Sequence, residues 1–226
     1  MRCGFSVAIK GDRMVYGCPG ISGNIGKAFF FDFNTNSLID LFTPGISSGA
    51  NFGTTVAITN DDIVVGAPNS SFGSLPQAGR AVVFTDLHDG TAPFITTLNS
   101  VSPGSNLQFG SSVAIDGDTL VVAVIRPLQS MGYLEVFARH PTHGWEWEQN
   151  ITNSEVSHTF AQSVALSKNF MVVGSPGDDE RGVDAGAAYV FERGANGLWT
   201  QKQKIMASDA RTLDRFSTYA VKTTRS

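Results

Sequence analysis

Short apolar stretches alternate with polar, glycine-marked turns along the whole chain, and no apolar stretch carries a sustained helical period. Two-residue alternation over four to seven positions predicts half-buried β-strands, and little helix is expected. The pattern also repeats. Phe52-Gly53-Thr54-Thr55-Val56-Ala57-Ile58 recurs as Phe109-Gly110-Ser111-Ser112-Val113-Ala114-Ile115 and as Phe160-Ala161-Gln162-Ser163-Val164-Ala165-Leu166. An earlier copy, Cys3-Gly4-Phe5-Ser6-Val7-Ala8-Ile9, has cysteine in the first Phe slot, and a weaker copy begins at Phe216. The starts lie ~50 residues apart, the size of one four-stranded unit in a repeat architecture.

Each start leads to a second element: Met14-Val15-Tyr16-Gly17-Cys18-Pro19, Ile63-Val64-Val65-Gly66-Ala67-Pro68 and Met171-Val172-Val173-Gly174-Ser175-Pro176. The third copy, Leu120-Val121-Val122-Ala123-Val124, lacks both the Gly and the Pro. A polar turn such as Asp116-Gly117-Asp118 separates the two elements, as in a β-hairpin. Third strands are predicted over 27–32, 79–85, 132–138 and 187–193, and fourth strands over 37–42, 94–98, 147–151 and 199–205. Small side chains in the inner strands suit crowded sheets. A Phe at each repeat start suits a plug between them, its burial worth about 2–3 kcal/mol. Proline closes the second strand because it cannot continue a ladder.

Phe-Gly followed at this spacing by Gly-Ala-Pro resembles the FG-GAP repeats of integrin α-subunit head domains, and more closely their bacterial-type relatives. The fit is best over 160–216, with Ser163-Val164-Ala165, Val172-Val173-Gly174-Ser175-Pro176-Gly177-Asp178-Asp179, Ala188-Tyr189-Val190-Phe191-Glu192-Arg193, Trp199 and Ala207-Ser208-Asp209. The resemblance implies an all-β propeller of four-stranded antiparallel blades. The repeats run over 3–51, 52–108, 109–159 and 160–215, with a partial one at 216–226, in a single propeller domain or fragment. Four blades and an extra strand fit a part of a larger, seven-bladed ring. A closed assembly of four or five blades is the competing expectation.

Composition narrows the functional classes. With 42% hydrophobic and 16% charged residues the chain can bury a core. Its 24 glycines and 16 phenylalanines suit tight turns and pleated surfaces. The net charge of −4 is spread along the chain, so nucleic acid is not an expected partner. No apolar run reaches the ~20 residues of a membrane helix, and the first residues do not read as a signal peptide. The turn Lys10-Gly11-Asp12-Arg13 folds Cys3 towards Cys18, either as a disulfide or as two buried thiols.

Several residues are candidates for chemistry. The integrin-type calcium loop would lie between the first and second strands, but the turns there are too short to wrap an ion, so that site does not carry over. Asp178, Asp179, Glu180 and Asp184 form another acidic loop; Asp178, Asp179 and Asp184 are its candidate calcium ligands, against a turn whose carboxylates bond the local backbone. Gly45-Ile46-Ser47-Ser48-Gly49 matches the nucleophile elbow in letters, but it falls between strands where that elbow needs a following helix. His88, His140, His143 and His158 lack the Cys or carboxylate neighbours of a zinc set and read as turn residues. Trp145, Trp147 and Trp199 suit packing at a blade edge, with sugar stacking as the alternative. Asn69 and Asn150 begin glycosylation-type triplets.

The expected function is a non-catalytic binding or adhesion module, extracellular or at a cell surface, recognising a protein or glycan. Its recognition loops are those joining strand two to three and strand four to the next strand one: 68–79, 126–131, 177–186 and 44–50. The alternatives are a non-catalytic propeller portion of a larger secreted or surface hydrolase and a spacer without a ligand.

Overall fold

The computed structural model describes residues 3–43, 45–126, 131–153 and 159–219. Among these residues, sixteen strands make four antiparallel sheets of four, each in simple sequence order. The first holds β1 (Ser6–Lys10), β2 (Arg13–Cys18), β3 (Lys27–Asp32) and β4 (Ser37–Asp40); the second holds β5 (Thr55–Ile58), β6 (Asp62–Ala67), β7 (Arg80–Thr85) and β8 (Phe94–Leu98). The third contains β9 (Val113–Asp116), β10 (Thr119–Arg126), β11 (Met131–His140) and β12 (Gly144–Ile151). The fourth contains β13 (Ser163–Ser167), β14 (Phe170–Ser175), β15 (Ala187–Arg193) and β16 (Trp199–Ile205). No helix occurs among the described residues. These are β-propeller blades, as the repeat predicts. Their third and fourth strands fall on the predicted segments or within a few residues of them.

The chain divides into two compact units, Met1–Ile115 and Asp116–Ser226. Within the first, the alternation of each strand decides what is covered. β3 buries every second side chain, whereas β6 is buried at all six positions. Val15, Ala28 and Phe30 of the first blade meet Val56, Ile63, Val65, Val82 and Phe84 of the second in one core cluster, with Phe52 in it. Phe52 lies edge-on to Phe84 at 6.4 Å, so the repeat-initial ring does plug the junction between blades. At the other end of the blades, Arg13 Nε lies 2.7 Å from Asp86, whose side chain is fully buried.

Backbone contact explains the Phe-Gly and Gly-Ala-Pro letters. A Cβ on Gly17 would fall on the carbonyl of Gly53, and one on Gly66 would fall on that of Gly110. Gly26 and Gly79, just before the third strands, meet the backbones of Phe52 and Phe109 through parallel bridges. Thus Phe-Gly of one repeat lies against two glycines of the repeat before it. Gly53 and Gly110 adopt φ of 88° and 90°, which glycine accepts without strain. A hydroxyl completes the joint: Thr55 Oγ1 donates to the Gly110 carbonyl at 3.0 Å.

The second unit uses the same joint with altered residues. Gly174 faces the carbonyl of Ser217, Gly186 the backbone of Phe216, and Gly132 the carbonyl of Phe160. Ser163 Oγ donates to Ser217 O at 2.9 Å, the counterpart of the Thr55 bond. Ala161 and Ser217 stand in the Phe-Gly glycine slot and keep positive φ, 69° and 70°, at a cost of about 1–2 kcal/mol each. Ser217 Oγ, bonded to Ala187 O and to the Ser175 amide, offsets part of that cost.

Cys3 and Cys18 form a disulfide, settling the alternative that the sequence left open. It joins the residue in the first Phe slot to the end of β2. Closing a loop of sequence separation 15 stabilises by about 3 kcal/mol, so a Cys3→Ala/Cys18→Ala chain is expected to lose that much in chemical denaturation. Gly17→Ala or Gly66→Ala is expected to cost ~2 kcal/mol or more, because the new methyl meets backbone that cannot yield. Gly104→Ala, whose Cβ would lie 3.5 Å from the Leu107 side chain, is expected to stay within about 1 kcal/mol in the same measurement.

Candidate functional site

Antiparallel order places the strand two-to-three loop and the strand four-to-one loop at the same end of each blade. The two kinds of loop are bonded to one another. In the first unit, Asn51 N donates to Asn24 O at 2.9 Å and Phe52 N to Ile25 O at 2.8 Å. Ser48 Oγ donates to Gly23 O at 3.1 Å. Arg80 ties a second pair, donating to Gly45 O at 3.2 Å and to Ser71 O at 2.8 Å. Asn106, Gln108 and Phe109 amides then donate to Pro76, Gln77 and Ala78. In the second unit Leu213, Arg215 and Phe216 amides donate to Val183, Asp184 and Ala185. The loop ends are therefore fixed platforms. Phe72, Val183 and Leu213 project from them, 38%, 62% and 61% exposed.

The acidic loop after β14 has the most elaborate side-chain chemistry. Asp178 is buried at 4% exposure. Its Oδ2 accepts from the Tyr189 hydroxyl at 2.7 Å and faces Lys204 Nζ at 2.9 Å, while Oδ1 accepts from the Glu180 amide at 3.2 Å. Tyr189 and Lys204 are register partners on β15 and β16, which places both beneath the loop. Lys204 Nζ also bonds Glu180 at 2.6 Å and sits 5.4 Å from the Tyr189 ring centre. Asp179 accepts from the Asp184 amide at 2.8 Å, and Asp184 faces Arg215 at 3.3 Å.

Asp178, Asp179 and Asp184, the candidate calcium ligands, are all engaged by the protein itself. Each carboxylate has a cation, hydroxyl or amide of the protein beside it, and among the described residues no three His, Cys, Asp or Glu side chains converge as metal ligands. The loop is a clasp onto the blade. Burial opposes ionisation of Asp178, but bonds from Tyr189 and Lys204 outweigh it and hold the carboxyl below its ordinary 3.8. Burial and the bond to Asp178 raise the Tyr189 hydroxyl well above its ordinary value. Burial disfavours the Lys204 charge, yet bonds to Glu180, Asp178 and Tyr189 overcome this and raise it.

Other predicted residues are scattered. Ser47 is exposed in an irregular segment with no helix after it, so the elbow geometry is absent. The His140 and His143 rings stack at 4.6 Å in a surface turn, and His143 faces Glu146 at 3.3 Å. His88 lies between Asp61 at 3.5 Å and Asp86 at 3.6 Å. His158 and loop residues 44 and 127–130 lie outside the described residues. Trp145 and Trp199 are buried, Trp145 with Arg139 above its ring at 4.7 Å, while Trp147 is half exposed and donates to Asn150. Sequence reasoning missed Arg80 and Lys204. Their only signal was a cation at a strand position near an acidic or carbonyl-rich loop.

The FG-GAP repeat model matches residues 41–84 and 145–191, so the chain carries FG-GAP repeats. Among solved structures it is similar to a candidate 6-phosphogluconolactonase from Bacteroides uniformis, with 14% identity and a TM-score of 0.59, covering 91% of this chain and 57% of that one. It is also similar to a protein from Lactobacillus plantarum, at 15% identity and a TM-score of 0.53, over 87% of this chain and 53% of the other. The chain thus spans little more than half the length of either. At such identities the likeness concerns the fold alone. A search of curated proteins finds no match.

The Asp178 clasp has a distinct pH signature. Its folded pKa is depressed, so its stabilisation is present above about pH 3.8 and is lost as pH falls through the lower folded value. Lys204, raised, contributes below the ordinary lysine value and loses that share only in stronger alkali. Lys204→Met is expected to cost about 2–3 kcal/mol at neutral pH by leaving the buried carboxylate without its cation. Asp178→Asn is expected to flatten the acid limb of stability in urea titrations across pH.

Proposed function

We propose that this chain is a non-catalytic recognition module, working outside the cell or on its surface, that binds a protein or glycan through its loop-bearing blade ends. The observation that carries the reading is the direct hydrogen bonding of the strand two-to-three loops after β2, β6 and β14 to the strand four-to-one loops that follow them. Loops locked in this way lose little further entropy on binding, which favours affinity from modest contact areas. Side chains that project from them, Phe72 and Val183 foremost, suit the apolar anchors of a binding patch. A disulfide between Cys3 and Cys18 accords with an oxidising compartment.

A catalytic reading finds less support. Ser47 lies in an irregular segment without the helix that an elbow needs, and His88, His140 and His143 sit in separate turns, His88 and His143 facing carboxylates. The lactonase description belongs to a structure that shares only the fold, and folds of this kind host many functions.

An array of immobilised glycans and purified matrix proteins tests the proposal. Binding is expected to at least one ligand class and to fall roughly tenfold or more in Phe72→Ala/Val183→Asp, with the melting curve unchanged. Retained binding in that double variant, or an array without any binding, would count against the loop ends as the recognition surface.

A further inference from the structure

Two asparagines begin an Asn-x-Ser/Thr triplet, Asn69-Ser70-Ser71 and Asn150-Ile151-Thr152. The fold treats them differently. Asn69 is half-buried in the loop after β6. Its backbone amide donates to Ala50 O at 3.2 Å, and its side-chain oxygen accepts from Gln108 at 3.4 Å. Ser70 beside it is only 1% exposed. A bulky sugar on Asn69 would have to part the loops that these bonds join.

Asn150 stands near the end of β12, the outer edge strand of its sheet, with a neighbour on one side only. Asn150 and Thr152 are exposed, while Ile151 between them is buried. The carboxamide is oriented by one bond: Trp147 Nε1 donates to Asn150 Oδ1 at 2.9 Å. An indole N–H can only donate, so the oxygen is pinned and Nδ2, the atom that accepts a sugar, is left over. Trp147 itself is 48% exposed beside that nitrogen. Trp145, earlier on the same strand, is instead buried with Arg139 above its ring.

We propose that Asn150 carries an N-linked glycan whose first sugar packs on the Trp147 ring, and that Asn69 carries none. In the transfer, Nδ2 of Asn150 bonds to the anomeric carbon of a lipid-pyrophosphate-linked oligosaccharide. The bond from that carbon to the pyrophosphate oxygen breaks, and the amide gives up one proton as the lipid pyrophosphate leaves. Donor and transferase work in the oxidising compartment where Cys3 and Cys18 pair, so the assignment rests on the extracellular placement proposed above. A glycan rooted here also guards β12. The unpaired N–H and C=O groups of an edge strand can template another chain, and a hydrated sugar keeps strands away.

The full chain, passed through the secretory pathway of cultured eukaryotic cells, tests this. After enzymatic release of N-glycans in heavy-oxygen water, peptide mass spectrometry is expected to find the label at residue 150 and not at residue 69. Thr152→Ala is expected to abolish the glycan, Thr152→Ser to keep it, and Ser71→Ala to change nothing. On the intact glycoprotein, ring current is expected to move the first sugar's protons upfield in NMR spectra, and Trp147→Ala to return them. A secreted chain bare at Asn150, a glycan on Asn69, or sugar protons indifferent to Trp147→Ala would each overturn the proposal. Protein from its natural source separates the two readings, since alkylation without reduction reports the cysteines and the same digest reports Asn150. Paired cysteines with a bare Asn150 would overturn the glycan alone. Free thiols with a bare Asn150 would overturn the extracellular placement and the glycan together.

Discussion

The structure depends on one steric condition: backbone must touch backbone where successive repeats meet. At Gly17 and Gly66 the space for a side chain is already filled by a carbonyl of the next repeat. Every other feature of the junction follows. The Phe ring can seal the core only because its own backbone lies flush against the preceding blade. The Thr55 hydroxyl reaches Gly110 only at that separation. Hydrophobic burial supplies most of the stability, yet the close approach sets the register in which burial occurs.

The same approach organises the loop ends. Once Phe52 or Phe109 is seated, the residues before it run alongside the preceding strand two-to-three loop, and their amides find carbonyls there. Loop ends and blade packing are thus one construction. Where the loop after β14 carries several acids, the blade provides Lys204 and Tyr189 to neutralise and orient them. An acidic cluster becomes a hinge-free clasp and leaves Val183 facing outward.

Much of the fold was legible in the sequence because the repeat states it four times. Strand positions, hairpin turns and the plug role of Phe52 follow from alternation and spacing alone. The candidate site was less so. Around Asp178, Asp179 and Asp184 the sequence shows acids close together but not the lysine brought across two strands. Register supplies that partner: Tyr189 and Lys204 are 15 residues apart along the chain and opposite one another in the sheet. Arg80 was hidden for a similar reason, as its acceptors are carbonyls, which every residue has.

The hydroxyl that closes two of the joints also gives the chain a direction in time. Thr55 bonds a carbonyl 55 residues further on, and Ser163 one 54 residues further on. During synthesis a blade therefore emerges before the backbone that will cap it. Its glycines stay open to solvent until the following Phe-Gly leaves the ribosome. The nascent protein matures one repeat behind its own elongation, and each new repeat acts first as the lid of the one before it.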